Sequence, residues 1–299
     1  MDLIIRILGT IVWYTLLAGA VIVLAELVWY RLPSRKGAGR HASRRIALVT
    51  GATSGLGRAY AQLIDQKARG IDEIWLIGRR KERLQAVSAG LKHASRCLPY
   101  DLTEAASLRE LENLLRAENA QAGYLINCAG FAKIGRTDAV SAADEKGMID
   151  LNCTAAAALC AVCLPFMEQG DHIVNVCSTA AFQPFQRLNV YAASKAFLLR
   201  YTRALRAELL PKKIMVTAVC PYWIKDTEFI GIAEKEKGAD IRSYPLASKV
   251  SSVATVSFLG IRIGVAVTTP GIVCTVHRLF SKLLPDTVLA CIWEGLRRI

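Results

Sequence analysis

Histidine is scarce in this chain. Four residues, His41, His93, His172 and His277, stand singly along 299 positions. None pairs with another at metal-ligand spacing, and none supplies an obvious base for a nucleophilic serine. A zinc enzyme and a Ser-His-Asp hydrolase are therefore both poor readings. Charge is thin as well, at 21% of residues against 53% hydrophobic, and the acidic share is the smaller: 25 Asp and Glu against 38 Lys and Arg. The resulting net charge of +13 raises the question of nucleic acid. Yet Arg31, Arg35, Lys36, Arg40, Arg44 and Arg45 crowd beside one apolar run, with none of the interleaved aromatics of an RNA-binding module, so no nucleic-acid partner is expected. The nine cysteines are an odd number, and Cys153, Cys177 and Cys220 lie inside apolar runs. They read as small core residues of a reducing compartment and not as a disulfide framework. Cys160 and Cys163 form a C-x-x-C without a second ligand pair, so no metal is expected there.

What the chain does have begins at its amino end. Residues 7–25 carry no charge, and the apolar run resumes after Glu26 through Tyr30. At about 1.5 Å per residue this nearly matches a hydrocarbon layer about 30 Å thick. Trp29 and Tyr30 stand where interfacial aromatics belong, and the basic cluster comes immediately after them, while only Arg6 precedes. That bias places the remainder of the chain in the cytoplasm. A cleaved signal peptide is the rival reading, but the apolar run is long for one and its positive flank is on the wrong side. Residues 1–30 are read as a single transmembrane signal anchor, 31–44 as a basic linker with Pro33, Gly37 and Gly39, and 45–299 as one domain.

Beyond the linker, short β-branched runs alternate with helical stretches. Strands are expected over 46–50, 73–78, 96–100, 124–127, 172–177 and 214–220, with helices over 56–67, 105–118, 139–169 and 190–210 between them. This alternation indicates an α/β fold, a single Rossmann-like doubly wound parallel sheet covered on both faces. Ligands of such sheets lie beyond the carboxyl ends of the strands.

The first strand runs into Gly51-Ala52-Thr53-Ser54-Gly55-Leu56-Gly57. Glycines there allow a tight turn and close approach of backbone to a pyrophosphate at a helix start. Arg79 and Arg80 end the second strand, where an NAD-binding site would place a carboxylate on the ribose 2′-OH. Two guanidinium groups suit a 2′-phosphate instead, hence NADPH, with NADH less suited; the alternative is a solvated helix start. Further on, Tyr191 and Lys195 stand four apart on a helix, thus on one face, thirteen residues after Ser178. A phenol titrating near 10 is a poor base at neutrality, and a nearby ammonium favours its ionised form.

Ser178 with Y-x-x-x-K, the glycine turn and Asn127-Cys128-Ala129-Gly130, each after its strand, is similar to the short-chain dehydrogenase/reductase family over residues 45–225. That resemblance implies an enzyme moving a hydride between NADPH and a ketone or secondary alcohol, with Tyr191 as acid/base, Ser178 on the carbonyl and Lys195 on the phenol and the nicotinamide ribose. It gives Asn152 the fourth catalytic role, through a water relay. It implies cofactor contacts at Gly51, Thr53, Ser54, Gly55, Leu56, Gly57, Arg79, Arg80, Asp101 (adenine), Leu102, Asn127, Ala129, Gly130, Tyr191, Lys195, Pro221, Ile224 and Thr227. Cys128 departs from the family's second Asn, and Tyr222 replaces the glycine after Pro221.

Residues 222–250 fall where the family has a substrate-covering lid, here with Tyr222, Trp223, Phe229 and Ile230. The Tyr222 variant, the amino-terminal span and an amphipathic carboxyl extension over 271–293 resemble the branch of membrane-bound 17β-hydroxysteroid dehydrogenases and long-chain 3-oxoacyl-CoA reductases. The resemblance implies a lipophilic ketosteroid or 3-oxoacyl substrate, and a homodimer through the helices near 139–169 and 190–210, where the alanine run 155–158 permits close approach. A nucleotide-binding membrane partner of a lipid-metabolism complex, with little or no turnover, is the alternative.

Overall fold

The computed structural model describes residues 2–32, 44–53, 55–234, 241, 244 and 246–298. The chain divides into two compact units, 1–39 and 40–299. The first holds helix α1 (Asp2–Arg31), in which Trp13–Arg31 is long and apolar enough to cross a membrane by length and composition. Its Trp13, Ile22 and Leu24 are exposed. Most of the expected linker, 33–43, lies outside the described residues.

The second unit alternates as the apolar runs require. In chain order it comprises β1 (Arg44–Thr50), α2 (Gly55–Lys67), β2 (Glu73–Ile77), α3 (Lys81–Ser88), β3 (Ala94–Leu98), α4 (Ala105–Ala117) and β4 (Ala120–Asn127). Then come α5 (Ala142–Ile149), α6 (Ala156–Cys163), β5 (His172–Val176), α7 (Asn189–Leu209), β6 (Met215–Val219) and α8 (Glu228–Ala233). Helix α9 (Val250–Ile263), β7 (Val267–Thr268), α10 (Ile272–Leu283) and α11 (Asp286–Leu296) complete it. All strand pairs are parallel, in the order β3-β2-β1-β4-β5-β6-β7. The order reverses direction between β1 and β4, and this switch point opens the crevice for a ligand.

Side chains alternate across the sheet, so each strand feeds two cores. Ile46, Leu48, Trp75, Leu125, Ile173 and Val216 pack with Leu111 of α4, Leu159 of α6 and Leu209 of α7. Ala47, Val49, Ile74, Leu76, Ile126 and Val174 pack on the other face with Tyr60 and Ile64 of α2 and Phe258 of α9. At about 1.5–3 kcal/mol per large apolar side chain buried, two covered faces account for the unbroken apolar strands.

Charges gather at the amino ends of the strands. Arg45 donates to Asp171 from Nε (3.2 Å) and Nη2 (2.7 Å). Gln121 Nε2 (2.9 Å) and the Glu168 backbone N–H (2.7 Å) donate to the other oxygen of this fully buried carboxylate. Arg44 and Arg96 both bridge Glu73 and Glu118, at 3.0–3.6 Å.

Four elements differ from the sequence expectation. The helix expected over 139–169 is broken: α5 passes through a π-helical turn, Asp150–Ala155, into α6, and Pro165 sits in a closing 3₁₀ turn. The wider turn inserts a residue into the ladder around Asn152, a device frequent at functional sites. Strand β7 and helix α9 have no counterpart among the expected elements, because a two-residue strand has no periodicity to detect. The amphipathic extension over 271–293 is two helices, since Pro285, lacking an N–H, separates α10 from α11.

Candidate active site

The glycine turn after β1 is shaped by close approach. Gly51 has φ +64° and Gly55 φ +51°, in the left-handed region where other residues are strained. A Cβ on Gly57 would meet the Gly51 carbonyl oxygen at 2.3 Å, so only glycine lets α2 begin against the turn. Gly57 is not among the residues that line the cavity; its part is packing. Ser54 lies outside the described residues. Thr50, absent from the residues singled out by sequence, holds the neighbouring loop. Its Oγ1 accepts the backbone N–H of Cys128 (2.9 Å) and Ala129 (3.0 Å) and donates to the Ile126 carbonyl (3.3 Å).

One cavity of about 660 Å³ runs along the carboxyl ends of the strands. At one end it is lined by Gly51, Thr53, Gly55, Leu56, Arg79, Arg80, Asp101 and Leu102. Arg80 Nη2 donates to Thr53 Oγ1 at 3.3 Å, and Arg79 Nη1 lies 3.9 Å from Asp101 Oδ2. Asp101 Oδ1 also accepts from the backbone N–H and hydroxyl of Thr103. Ala129 and Gly130 line the middle. A Cβ on Gly130 would meet Asn152 Oδ1 at 2.7 Å and Lys195 Nζ at 3.4 Å, so this strip also needs glycine. A backbone cradle that side chains would fill, followed by paired guanidinium groups, has the chemistry to hold a phosphorylated dinucleotide.

At the other end Ser178, Tyr191 and Lys195 line the same cavity, with Pro221, Ile224 and Thr227 opposite. The Ser178 hydroxyl lies within hydrogen-bonding reach of the Tyr191 phenol and accepts the Ala180 N–H at 3.0 Å. Lys195 Nζ donates to the Val176 carbonyl at 2.8 Å and lies 5.8 Å from the centre of the Tyr191 ring. Both side chains are buried, at 6% and 5% exposure. Burial pushes the Tyr191 phenol well above its ordinary value despite the neighbouring Ser178 hydroxyl, and it pulls the Lys195 ammonium down. The four-residue spacing predicts a depressed phenol. Here desolvation is the larger influence, and one of the three ammonium donors is taken by the Val176 carbonyl.

Two expected residues point elsewhere. Asn152 is 1% exposed, and its amide clamps the Phe131 backbone: Oδ1 accepts the N–H (3.1 Å), while Nδ2 donates to the carbonyl (3.0 Å) and to Ser194 Oγ (3.0 Å). Its side chain is thus occupied, and a place in a water relay would fall to its backbone. Asn127 also turns into the core, donating to Asn175 Oδ1 (2.8 Å) and the Ala156 carbonyl (3.3 Å). It ties β4 to β5 and α6 and is not among the residues that line the cavity.

The described part of the covering segment, 222–234, lines the catalytic end. Thr227 caps α8 by accepting the Phe229 N–H at 3.3 Å and donates to the Ile224 carbonyl at 3.1 Å. Its methyl would lie 3.2 Å from a Cβ on Gly55, which places it across the glycine turn. Phe229 packs on Tyr191 at 5.7 Å between ring centres, and Trp223 on Tyr244 at 4.6 Å. Tyr222, Trp223 and Phe229 line the cavity as expected, but Ile232 takes the place given to Ile230, one turn being incomplete between them. Residues 235–240, 242, 243 and 245 of the expected lid lie outside the described residues.

Residues 45–237 match the family described as short chain dehydrogenase. A serine 3-dehydrogenase of Rhizobium radiobacter is 35% identical over 188 residues, 61% of this chain and 72% of that protein. The NADP-dependent 3-hydroxy acid dehydrogenase YdfG of Escherichia coli K12 is 33% identical over 194 residues, 64% of this chain and 77% of its own length. A short-chain dehydrogenase from Sphingobium yanoikuyae, solved in complex with NADPH, superposes with a TM-score of 0.68 at 30% identity, over 84% of this chain and 94% of that one. With the same sheet order delivering a serine, a tyrosine and a lysine to one cavity, the chain belongs to the short-chain dehydrogenase family and is an oxidoreductase of that type.

Proposed function

We propose that this protein is an NADPH-dependent oxidoreductase that interconverts a ketone and a secondary alcohol on a lipophilic substrate of the ketosteroid or 3-oxoacyl type. The observation that carries this reading is the character of the catalytic end of the cavity. Phe131, Phe185, Leu188, Trp223 and Phe229 line it around Ser178 and Tyr191. A substrate with a free carboxylate, such as serine, calls for a fixed cation beside the reacting carbon. Among the described lining residues, Lys195 is the one cation at this end, and it serves the phenol. An apolar ketone therefore fits better than the acids for which the two relatives are named.

When bound, NADPH supplies the hydride. The remaining chemistry belongs to the chain. Ser178 donates to the substrate oxygen and orients the carbonyl toward Tyr191. Tyr191 gives its proton to the oxygen as negative charge develops there. Lys195 steadies the phenolate that this leaves and holds the nicotinamide ribose. Asn152, by clamping Phe131, fixes the wall on which both sit. Gly51, Gly55, Ala129 and Gly130 admit the pyrophosphate and ribose, Asp101 and Leu102 face the adenine, and Pro221, Ile224 and Thr227 meet the nicotinamide. Arg79 and Arg80 take the 2′-phosphate. Replacing both by Ala is expected to weaken NADPH binding about tenfold and NADH binding hardly at all, because solvent screens both well-exposed side chains. Calorimetric titration of each cofactor checks this, and equal losses would reduce the pair to a solvated helix start. A panel of lipophilic and acidic carbonyls, assayed by NADPH oxidation, decides the substrate class; preference for a 3-oxo acid with a free carboxylate sinks the lipophilic reading.

We further assign residues 1–30 as a membrane anchor and 45–299 as the catalytic domain, on the cytoplasmic side. The support is the uncharged run, its basic flank and the exposure of Trp13, Ile22 and Leu24 on α1. An anchor suits substrates that partition into lipid. Deleting residues 1–30 is expected to release the enzyme from carbonate-washed membranes and to spare turnover of a water-soluble ketone, while slowing turnover of a membrane-dissolved one. A truncated protein that does not fold would make the segment part of the core and end the anchor reading. Exposed Ile149 on α5 and Phe197 on α7 support a homodimer through these helices.

A further inference from the structure

The covering helix α8 is tied to the nucleotide end of the cavity by a carboxylate. Glu228, the first residue of α8, accepts from Arg83 Nη1 at 2.6 Å through Oε1, and its Oε2 lies 3.5 Å from Arg80 Nη2. Arg80 follows β2, and Arg83 stands in the first turn of α3. The same Arg80 nitrogen donates to Thr53 Oγ1 at 3.3 Å, inside the glycine turn. Glu228, Arg80, Arg79 and Thr53 line one stretch of cavity wall. The hydrogen bond from Arg83 draws the Glu228 carboxyl below its ordinary range, so the group is an anion at neutrality.

A carboxylate held by two guanidinium groups uses the chemistry by which arginines hold a phosphate: planar donors and charge-assisted bonds. Glu228 lies on Arg80 and Arg83, and the 2′-phosphate is assigned to Arg79 and Arg80, so Arg80 is the group they share; two anions on one guanidinium repel, and the phosphate, with the larger charge, displaces the smaller. We propose that Glu228 is the internal competitor of the cofactor's 2′-phosphate for Arg80, so that binding of NADPH removes one of the two guanidinium contacts that hold α8 and leaves Arg83 alone, whereas NADH, lacking the phosphate, leaves both in place. This rests on the assignment of Arg79 and Arg80 to the 2′-phosphate. Glu228 and both arginines have close to half of their side-chain surface in solvent. Such pairs are weak and salt-sensitive, which suits a contact that exchanges partners. Selection between the cofactors then acts twice, once in affinity and once in loosening α8.

The test uses the full chain in detergent and the conservative variant Glu228→Gln, which keeps the shape and removes the competing charge. Affinities for NADP+ and NAD+ are measured by calorimetry at low and at high salt, and amide exchange of residues 228–233 by mass spectrometry. In Glu228→Gln, NADP+ should bind roughly two- to fivefold tighter at low salt, with the gain shrinking at high salt and NAD+ unaffected. The amides of α8 should exchange faster in the variant by a similar factor, and in the wild type NADP+ but not NAD+ should speed them. Weaker NADP+ binding in the variant would mean that Glu228 positions the arginines and does not compete, which overturns the proposal. Unchanged affinity with unchanged exchange overturns it too. A wild type that binds both cofactors equally defeats the 2′-phosphate assignment itself, and the latch with it; that failure is read from the wild type alone.

Discussion

Tyr191→Phe is expected to lower kcat by about 10²–10⁴, the contribution of a positioned proton donor, while NADPH still binds. The substitution removes one oxygen and leaves the ring that packs on Phe229, so the cavity wall survives. Ser178 and the bound cofactor would sustain the residual rate. Burial also fixes how the two directions respond to pH. A phenol pushed above its ordinary value keeps its proton through the neutral range, which is the form that reduction consumes. Reduction should therefore be nearly flat with pH there, while alcohol oxidation, which needs the phenolate, should climb as pH rises. Profiles of kcat/KM in both directions, for the wild type and the Phe variant, check both statements. A Phe variant with most of its rate intact, or an oxidation rate that falls with rising pH, would remove Tyr191 from the role.

The second large effect lies at the opposite end of the sheet. Asp171→Ala should lower the unfolding free energy by about 3–5 kcal/mol, because it strips a buried carboxylate from Arg45, Gln121 and the Glu168 N–H together. The Arg45 guanidinium, partly buried beside it, would lose its counter-charge. The molecules that remain folded should keep their cofactor affinity and turnover, since no atom of the cavity is touched. Urea unfolding followed by tryptophan fluorescence gives the stability. Active-site titration before assay separates fewer folded molecules from slower ones. If specific activity per folded molecule fell as far as stability, the two ends of the sheet would be coupled and the view of Asp171 as purely structural would fail.

Five of the six longer strands were legible because each is largely buried on both faces and so reads as an apolar run; β3, half-exposed and carrying Ser95 and Arg96, starts two residues before the strand expected over 96–100. Cavity residues that come after those strands, such as Gly51, Arg80, Ser178 and Pro221, were legible for the same reason: the end of a run marks the end of a strand. Tyr191 and Lys195 carried their own signal in their spacing. What escaped notice depends on partners far away in the chain. The role of Thr50 exists only because residues 128 and 129 arrive beside it. The side chain of Asn152 is occupied by Phe131 across a π-helical turn, whose extra residue leaves no trace in apolar periodicity. Glu228 meets Arg83 across 145 positions, and in the sequence each reads as an ordinary surface charge. The burial that raises the phenol is hidden from the sequence for a related reason. Spacing along a helix tells which residues share a face, but not which carbonyl the ammonium has already taken or how dry the surroundings are.

The ionic cluster at the amino ends of the strands and the cavity at their carboxyl ends stand a strand length apart, joined by side chains that carry no charge. That separation bears on how such a protein changes over generations. Substitutions around Glu73, Glu118 and Asp171 adjust how long the folded chain lasts in a warmer or saltier cell. Substitutions at Tyr222, Trp223 and Phe229 adjust which molecules it accepts. Because neither set touches the other, a lineage can explore new substrates while repairing durability elsewhere, and a loss incurred at one rim can be made good at the other without retracing the step that caused it.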